Sequence, residues 1–192
     1  MLDTRTRSEF LALTGTRSAT LDQRVKVGEA AFALGVERPA HIGEYLLLDA
    51  VAMILASMIN RFTGLELKRV ADIVRTHWDD WLLLLTRAER FHSEQFVCIA
   101  WSLDRTAPPH VAMGEASDID KALPAGETAP CLIPMRLLLR CLRGNAATAG
   151  IELPERLTIA PDEPGYAQWR RQIEDYQQAA GMRSAKAKLA PA

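Results

Sequence analysis

The spacing of apolar residues predicts a helical beginning for the chain. Residues 11–26, LALTGTRSATLDQRVK, form two short helical phrases that meet at Gly15. On the second phrase Leu21 and Val25 are four residues apart and therefore lie on one helix face. Ser18 is the expected N-cap of this second helix, because a serine hydroxyl accepts hydrogen bonds from the free N–H groups of a first helical turn.

Further along, the pattern predicts a buried helix and then a long amphipathic one. Residues 29–45 contain glycines and a proline, which is typical of a connecting loop or short hairpin. An almost wholly apolar helix is predicted over 50–61, with Asp49 as its N-cap. Apolar residues at steps of three and four then predict one helix over 66–90. At 1.5 Å per residue this helix is roughly 36 Å long, so we expect part of it to pack on a partner chain or a second domain.

The second half of the chain predicts a mixture of strands and helices. Strands are expected over 95–103, 110–113 and 131–133, and a polar loop over 118–129. Helices are expected over 135–149 and 166–180, the second with Trp169, Ile173 and Tyr176 on one side.

These elements together predict a mainly α protein with a small β component. We expect a mainly helical N-terminal domain over 1–75 and a connecting or dimerisation helix over 76–92. A C-terminal α+β domain over 93–180 and a basic, disordered tail over 181–192 complete the prediction.

Composition limits the classes of partner. The 192 residues are 48% hydrophobic and carry a formal net charge of −1, so any affinity for nucleic acid has to come from a local patch. The longest apolar run, 45–59, is interrupted by Asp49 and is too short to span a bilayer. The three cysteines form no CxxC pair, which favours reduced, buried thiols. We therefore expect a cytoplasmic protein that does not associate with membranes.

Recognisable catalytic and metal-binding motifs do not occur in the sequence. The four histidines include no pair at the i, i+4 spacing of a helical metal site. Adjacent Asp79 and Asp80 point in different directions on a helix and do not converge on one reacting atom. GxSxG, GxGxxG and P-loop patterns are missing as well. The prediction is a protein that is not an enzyme and holds neither cofactor nor metal.

The predicted second helix carries many hydrogen-bond donors. The side chains with this chemistry are Arg17, Ser18, Thr20, Gln23, Arg24 and Lys26. Residues 17–28 contain three basic residues and one acid, Asp22, a balance of +2, whereas the first 45 residues contain six basic and six acidic residues and balance to zero. The donors favour DNA binding and the neutral balance favours an ordinary helical corner, so both interpretations stay open at this point.

A family resemblance bears on this choice. SEFLALTGTRSATLDQRVKVG resembles the opening helix-turn-helix of the MerR family, including its excisionase-like and phage relatives. ERPAHIGEYLLLDAVAMILASMI resembles the wing entering the next helix, and TGLELKRVADIVR resembles the break before the fourth helix. The resemblance implies that residues 1–75 form a winged helix-turn-helix domain that binds DNA. Its DNA contacts are then Arg17, Thr20 and Arg24 on the recognition helix and Arg38 in the wing.

The same resemblance implies a homodimer. In this family a later helix pairs with its twofold mate, which implies Trp78, Trp81 and Leu85 as interface residues. Packing of these residues within their own chain is the alternative. The predicted function is a sequence-specific transcriptional regulator that binds double-stranded DNA as a homodimer. The alternatives are a protein–protein interaction module with a degenerate helix-turn-helix, and an accessory protein of DNA packaging or recombination.

Overall fold

The computed structural model describes residues 2–41, 43–91, 93–102, 109–123 and 128–189. It is mainly helical, 61%, with a small sheet component, which confirms the predicted class. The α-helices are α1 Arg7–Thr14, α2 Ser18–Val27, α3 Leu47–Thr63, α4 Leu67–Thr76, α5 Trp78–Phe91, α6 Ala116–Ala122, α7 Met135–Ala149 and α8 Tyr166–Leu189. The strands are β1 Thr4–Thr6, β2 Glu44–Leu46, β3 Phe96–Ser102, β4 His110–Gly114 and β5 Thr128–Pro134. Among the described residues, no helix is long and apolar enough to cross a membrane.

The strands form two antiparallel sheets. In the first sheet β1 pairs with β2, with Arg5 opposite Tyr45. In the second sheet β3 lies between β4 and β5, in the order β4-β3-β5. This second sheet confirms the three strands predicted in the second half of the chain. The polar loop predicted over 118–129 is wrong for residues 118–122, because these residues belong to α6.

The segment between α2 and β2 is a buried connection and not a hairpin wing. The described part of the segment leads into one strand, β2. This strand pairs with β1, which precedes α1. A 3-10 helix, Ala33–Gly35, lies in its middle. Residues 30–34 are at most 1% exposed, because this apolar run, AAFAL, packs into the core. The predicted hairpin is therefore wrong for the described part of 29–45.

The predicted long helix over 66–90 is two helices that are broken at His77. α4 ends at Thr76, and His77 has φ −104° and ψ 28°, outside helical geometry. The indole N–H of Trp81 donates to the carbonyl oxygen of Val74, 2.9 Å away. Because both helices bury one face in the core, the apolar pattern continues through the break and does not reveal it.

A continuous hydrophobic core runs through the described chain. One cluster of buried residues includes Phe10 of α1, Ile59 of α3, Leu85 of α5, Leu138 of α7 and Ile173 of α8. The predicted boundaries at 75 and 92 consequently do not separate two cores. A small second cluster, Cys98, Ala100, Ala112 and Ile119, lies between the three-stranded sheet and α6.

The last helix confirms one prediction and is longer than predicted. Trp169, Ile173 and Tyr176 are all buried, as their spacing predicts. α8 continues to Leu189, so residues 181–189 of the predicted basic tail are helical in the structure, and 190–192 lie outside the described residues. This tail is rich in alanine, lysine and arginine, which have high intrinsic helix propensity.

Candidate nucleic-acid interface

α1 and α2 form a compact two-helix unit around Gly15. This glycine has φ 64°, and its N–H donates to the carbonyl oxygen of Ala12, which ends α1 in a left-handed turn. Phe10, Leu13 and Leu21 are 0% exposed and form the contact between the helices and the core. The unit therefore has the helix–turn–helix order that the sequence predicts.

Arg7 joins the two helices on the surface of this unit. One guanidinium nitrogen lies 2.6 Å from an Asp22 carboxylate oxygen and 2.9 Å from the Ser18 hydroxyl. The other lies 3.3 Å from the hydroxyl of Tyr45, whose ring stacks on Phe10 with 4.3 Å between centroids. The hydrogen bond that Arg7 donates to Asp22 raises the pKa of Arg7. The single acidic charge of α2 is thus paired with a cation from α1.

The outer face of α2 carries the predicted donors. Arg17, Ser18, Thr20, Gln23 and Lys26 are exposed, and Arg24 is half-buried. Because Asp22 is paired with Arg7, three basic side chains on α2 are left without an acidic partner on the same helix: Arg17, Arg24 and Lys26.

The start of α2 differs from the prediction. Its N-cap is Arg17, whose side chain makes no capping hydrogen bond. Ser18 is the first helical residue, and its hydroxyl accepts from Arg7 instead of capping the helix. The backbone N–H groups of the first turn consequently have no side-chain cap, and such groups bind anions well.

Arg38 lies apart from α2 in the chain. It is exposed and stands beside exposed Glu37, in the connection between the 3-10 helix and β2. A contact of Arg38 with DNA would come from this irregular segment and not from a wing, since the segment forms no hairpin.

Trp81 and Leu85 are buried in their own chain and cannot form a dimer interface. Both are 0% exposed, and Trp81 is also hydrogen-bonded to α4. Trp78 is half-buried, with the Arg170 guanidinium of α8 5.3 Å above its ring. The interface predicted for Trp81 and Leu85 is therefore wrong, and the alternative of packing within the chain is correct for them.

Asp49 has a different role from the one predicted. It is the third residue of α3, and Leu46 is the N-cap. Its buried carboxyl group accepts hydrogen bonds from the N–H of Leu46 at 2.8 Å and of Ala33 at 3.0 Å, and another from the Tyr176 hydroxyl. Burial raises the pKa of Asp49 to about 7, although these three hydrogen bonds oppose the rise. Asp49 thereby links the 3-10 helix, the end of β2 and α8 through hydrogen bonds.

Two histidines are hydrogen-bonded within the structure, and two cysteines are protonated. A ring nitrogen of His77 lies 3.1 Å from the Asp80 carboxylate, and one of His110 lies 3.0 Å from the Ala122 carbonyl oxygen. Burial raises the pKa of Cys98 to about 11 and that of Cys131 in the same direction, which keeps both thiols protonated at neutral pH. Within the described ranges, no group of three or more His, Cys, Asp and Glu residues is placed to hold a metal ion.

No protein-family model matches the chain, and no curated protein is significantly similar to it. The interpretation of α2 therefore depends on its own side chains and on the pairing of Asp22 with Arg7.

Proposed function

We propose that this protein is a sequence-specific DNA-binding regulator of transcription that uses α2 as its recognition helix. One observation carries the proposal. The outer face of α2 offers exposed donors, while the only acid of that helix is paired with Arg7 at 2.6 Å. A surface that contacts DNA needs such donors and loses affinity when unpaired acids lie among them.

The side chains divide into two kinds of contact. Arg17, Arg24 and Lys26 contact phosphates or guanine edges, because guanidinium and ammonium groups donate to both. Thr20 and Gln23 read base edges. The uncapped first turn of α2 adds backbone N–H groups that bind a phosphate. Arg38, exposed in the segment before β2, contacts an adjacent groove.

Homodimerisation belongs to the proposal. Two recognition helices about one DNA turn apart bind a palindromic site more tightly than one helix binds a half-site. The dimer surface has to consist of residues other than Trp81 and Leu85, since these have no exposed area.

The test is a selection of binding sites from random duplex DNA by the full-length protein at two salt concentrations. The variant is Arg17→Ala/Arg24→Ala. Arg87→Ala is the matched control, because Arg87 is an exposed arginine on α5, outside the proposed interface. We expect the wild type and the control to enrich one sequence. We expect the double variant to bind that sequence about tenfold more weakly or worse, with a salt slope smaller by about two.

Two results would contradict the proposal. One is the absence of any enriched sequence at low salt. The other is unchanged binding by the double variant, with circular dichroism verifying its fold. A palindrome with half-sites one turn apart, bound at the mass of two chains, supports the homodimer, and a single half-site bound by one chain argues against it.

A further inference from the structure

A second basic surface lies away from α2, in an open cleft between α5, α7 and the segment that follows α7. The cleft has a volume of about 710 Å³, within the range of small-molecule sites. Four arginines line it: Arg136, Arg140, Arg143 and Arg156. Two acids, Glu89 and Glu155, line it as well, which leaves a formal charge of +2 on the lining residues, and Glu94, outside this lining, lies 3.9 Å from Arg136.

The sequence of α7 dictates the arginine row. Met135, Leu138, Leu142 and Ala146 are at most 2% exposed and turn one face of α7 into the core. Arg136, Arg140 and Arg143 follow at steps of four and three, so they share the opposite side of the helix. Seven residues at 1.5 Å each give a row about 10 Å long.

The acids in the cleft are less available than its arginines. The Glu89 carboxylate accepts from the N–H of Leu157 at 3.0 Å and from the Thr158 hydroxyl at 3.0 Å, so it is turned towards that segment. Burial raises the pKa of Glu89, while these hydrogen bonds and the charge of Arg143 oppose the rise. Glu89 is therefore hydrogen-bonded to the wall of the cleft, and it forms no direct ion pair with Arg140 or Arg143 in the described part of the chain.

The arginines differ in how they are engaged. Arg156 is paired with Glu163, with 2.6 Å between a guanidinium nitrogen and a carboxylate oxygen. Arg143 donates to the backbone carbonyl oxygen of Glu155 at 2.7 Å, and its charge also acts on the nearby Glu89 carboxyl group, whose pKa it lowers. Arg140 is exposed and makes no hydrogen bond or ion pair with the described part of the chain. The middle of the row is thus free to bind an anion.

We propose that this cleft binds a small molecule with two or more linked phosphate groups. A guanidinium group donates two parallel hydrogen bonds to a phosphate. A row of guanidinium groups therefore fits a chain of linked phosphates better than it fits a ligand with a single carboxylate group. The site is separate from the proposed recognition helix, and it stands whether or not α2 binds DNA.

The experiment is isothermal titration of the full chain with sodium tripolyphosphate at low, constant ionic strength. Citrate, which carries a similar charge on carboxylates, and ATP, which adds a nucleoside, are titrated in parallel. Arg140→Gln removes the unpaired charge at the middle of the row. Arg171→Gln is the matched control, because Arg171 is an exposed arginine on α8 outside the cleft.

We expect one tripolyphosphate to bind per chain. Arg140→Gln should weaken binding about tenfold, since hydrogen bonds to charged groups contribute strongly to affinity, and Arg171→Gln should leave it unchanged. Citrate should bind more weakly than tripolyphosphate. ATP that binds more tightly than tripolyphosphate identifies a nucleotide as the source of the phosphates, and ATP that binds more weakly identifies an inorganic polyphosphate.

Three results would overturn the proposal. The first is no binding of tripolyphosphate. The second is equal binding of citrate together with equal weakening by both variants, which indicates diffuse charge attraction. The third is duplex DNA that needs Arg140 for binding while tripolyphosphate does not bind, which makes the cleft a nucleic-acid surface. Circular dichroism of both variants verifies that the loss of binding is not a loss of fold.

Discussion

Asp49 is a single carboxyl group on which several segments converge. It accepts hydrogen bonds from Ala33 in the 3-10 helix, Leu46 in β2 and Tyr176 in α8. A buried carboxyl group that satisfies three donors orders the segments that carry them, and an unsatisfied donor at any of these places would cost about 1–3 kcal/mol. Asp49 is therefore one of the groups that fix α8 against the first part of the chain.

The raised pKa of Asp49 predicts a pH dependence of stability. Between about pH 4 and pH 7 the folded protein holds a proton on Asp49 that the unfolded chain has lost. The contribution of Asp49 to the free energy of unfolding therefore falls as the pH rises through this interval and is constant above it. Asp49→Asn lacks this contribution, so the difference in stability between wild type and variant should shrink over the same interval.

Urea unfolding of both proteins at a series of pH values measures this difference. The amide side chain of the Asp49→Asn variant would also present an N–H₂ group to backbone donors, so we expect the variant to be less stable by about 1–3 kcal/mol. Asp120→Asn is the control, because Asp120 is exposed on α6. A difference between wild type and Asp49→Asn that stays constant from pH 4 to pH 7 would refute the assignment.

Three glycines, at the end of α1, in the 3-10 helix and inside α7, have different surroundings. Gly15 has φ 64°, and a Cβ placed on it meets nothing within 4 Å. Gly35 has φ 71°, and its Cβ would lie 3.1 Å from a ring carbon of Trp78. Gly144 lies inside α7, and a Cβ there meets open space. The three glycines therefore allow backbone strain, close packing and helix propensity to be tested separately in one chain.

Alanine substitution of these glycines should give three distinct results. Gly15→Ala should destabilise the protein by about 1 kcal/mol, the strain of a left-handed alanine. Gly35→Ala should cost more, because the clash with Trp78 adds to the same strain. Gly144→Ala should stabilise the protein by about 0.5–1 kcal/mol, the preference of alanine over glycine in a helix. Urea unfolding measures all three, and a Gly35→Ala cost equal to that of Gly15→Ala would contradict the close packing against Trp78.

Elements were predictable wherever local signals and burial agree. Glycines with positive φ end α1 and α2, and short apolar runs predict β3 and β5. The break at His77 was not predictable, because α4 and α5 bury one face each and keep the same period. Glycine and proline suggested a hairpin over 29–45. The apolar run 30–34 is instead buried in the core, because burial removes its apolar surface from water.

For the molecule as a unit, the candidate site was predictable only in part. The amphipathic pattern of α2 predicts which donors face outward. The ion pair of Arg7 with Asp22 joins residues 15 positions apart and depends on the angle between two helices, which a linear pattern does not contain. The burial of Trp81 and Leu85 depends likewise on where distant segments pack. The sequence indicates two domains, yet the buried cluster passes through both.

This shared core predicts that the protein unfolds in one cooperative transition. Trp81 of α5 and Ile173 of α8 are buried in the same cluster as Phe10 and Leu34. Gln177 of α8 also donates to the carbonyl oxygen of Leu34, 2.6 Å away. Loss of α8 would therefore uncover the first part of the chain, so the first 75 residues alone should not form a stable fold. Two independent domains would instead unfold in two steps.

Thermal unfolding of Tyr176→Phe distinguishes these cases. The Tyr176 hydroxyl accepts from the N–H of Ala40 at 3.2 Å and donates to Asp49, so its removal should cost about 1–3 kcal/mol. With one core, the far-ultraviolet circular dichroism and the tryptophan fluorescence should shift together to a lower temperature. Tyr166→Phe, half-buried in the first turn of α8, should shift neither. Two separated transitions, of which Tyr176→Phe moves only one, would mean that the domains predicted over 1–75 and 93–180 fold independently despite their common core.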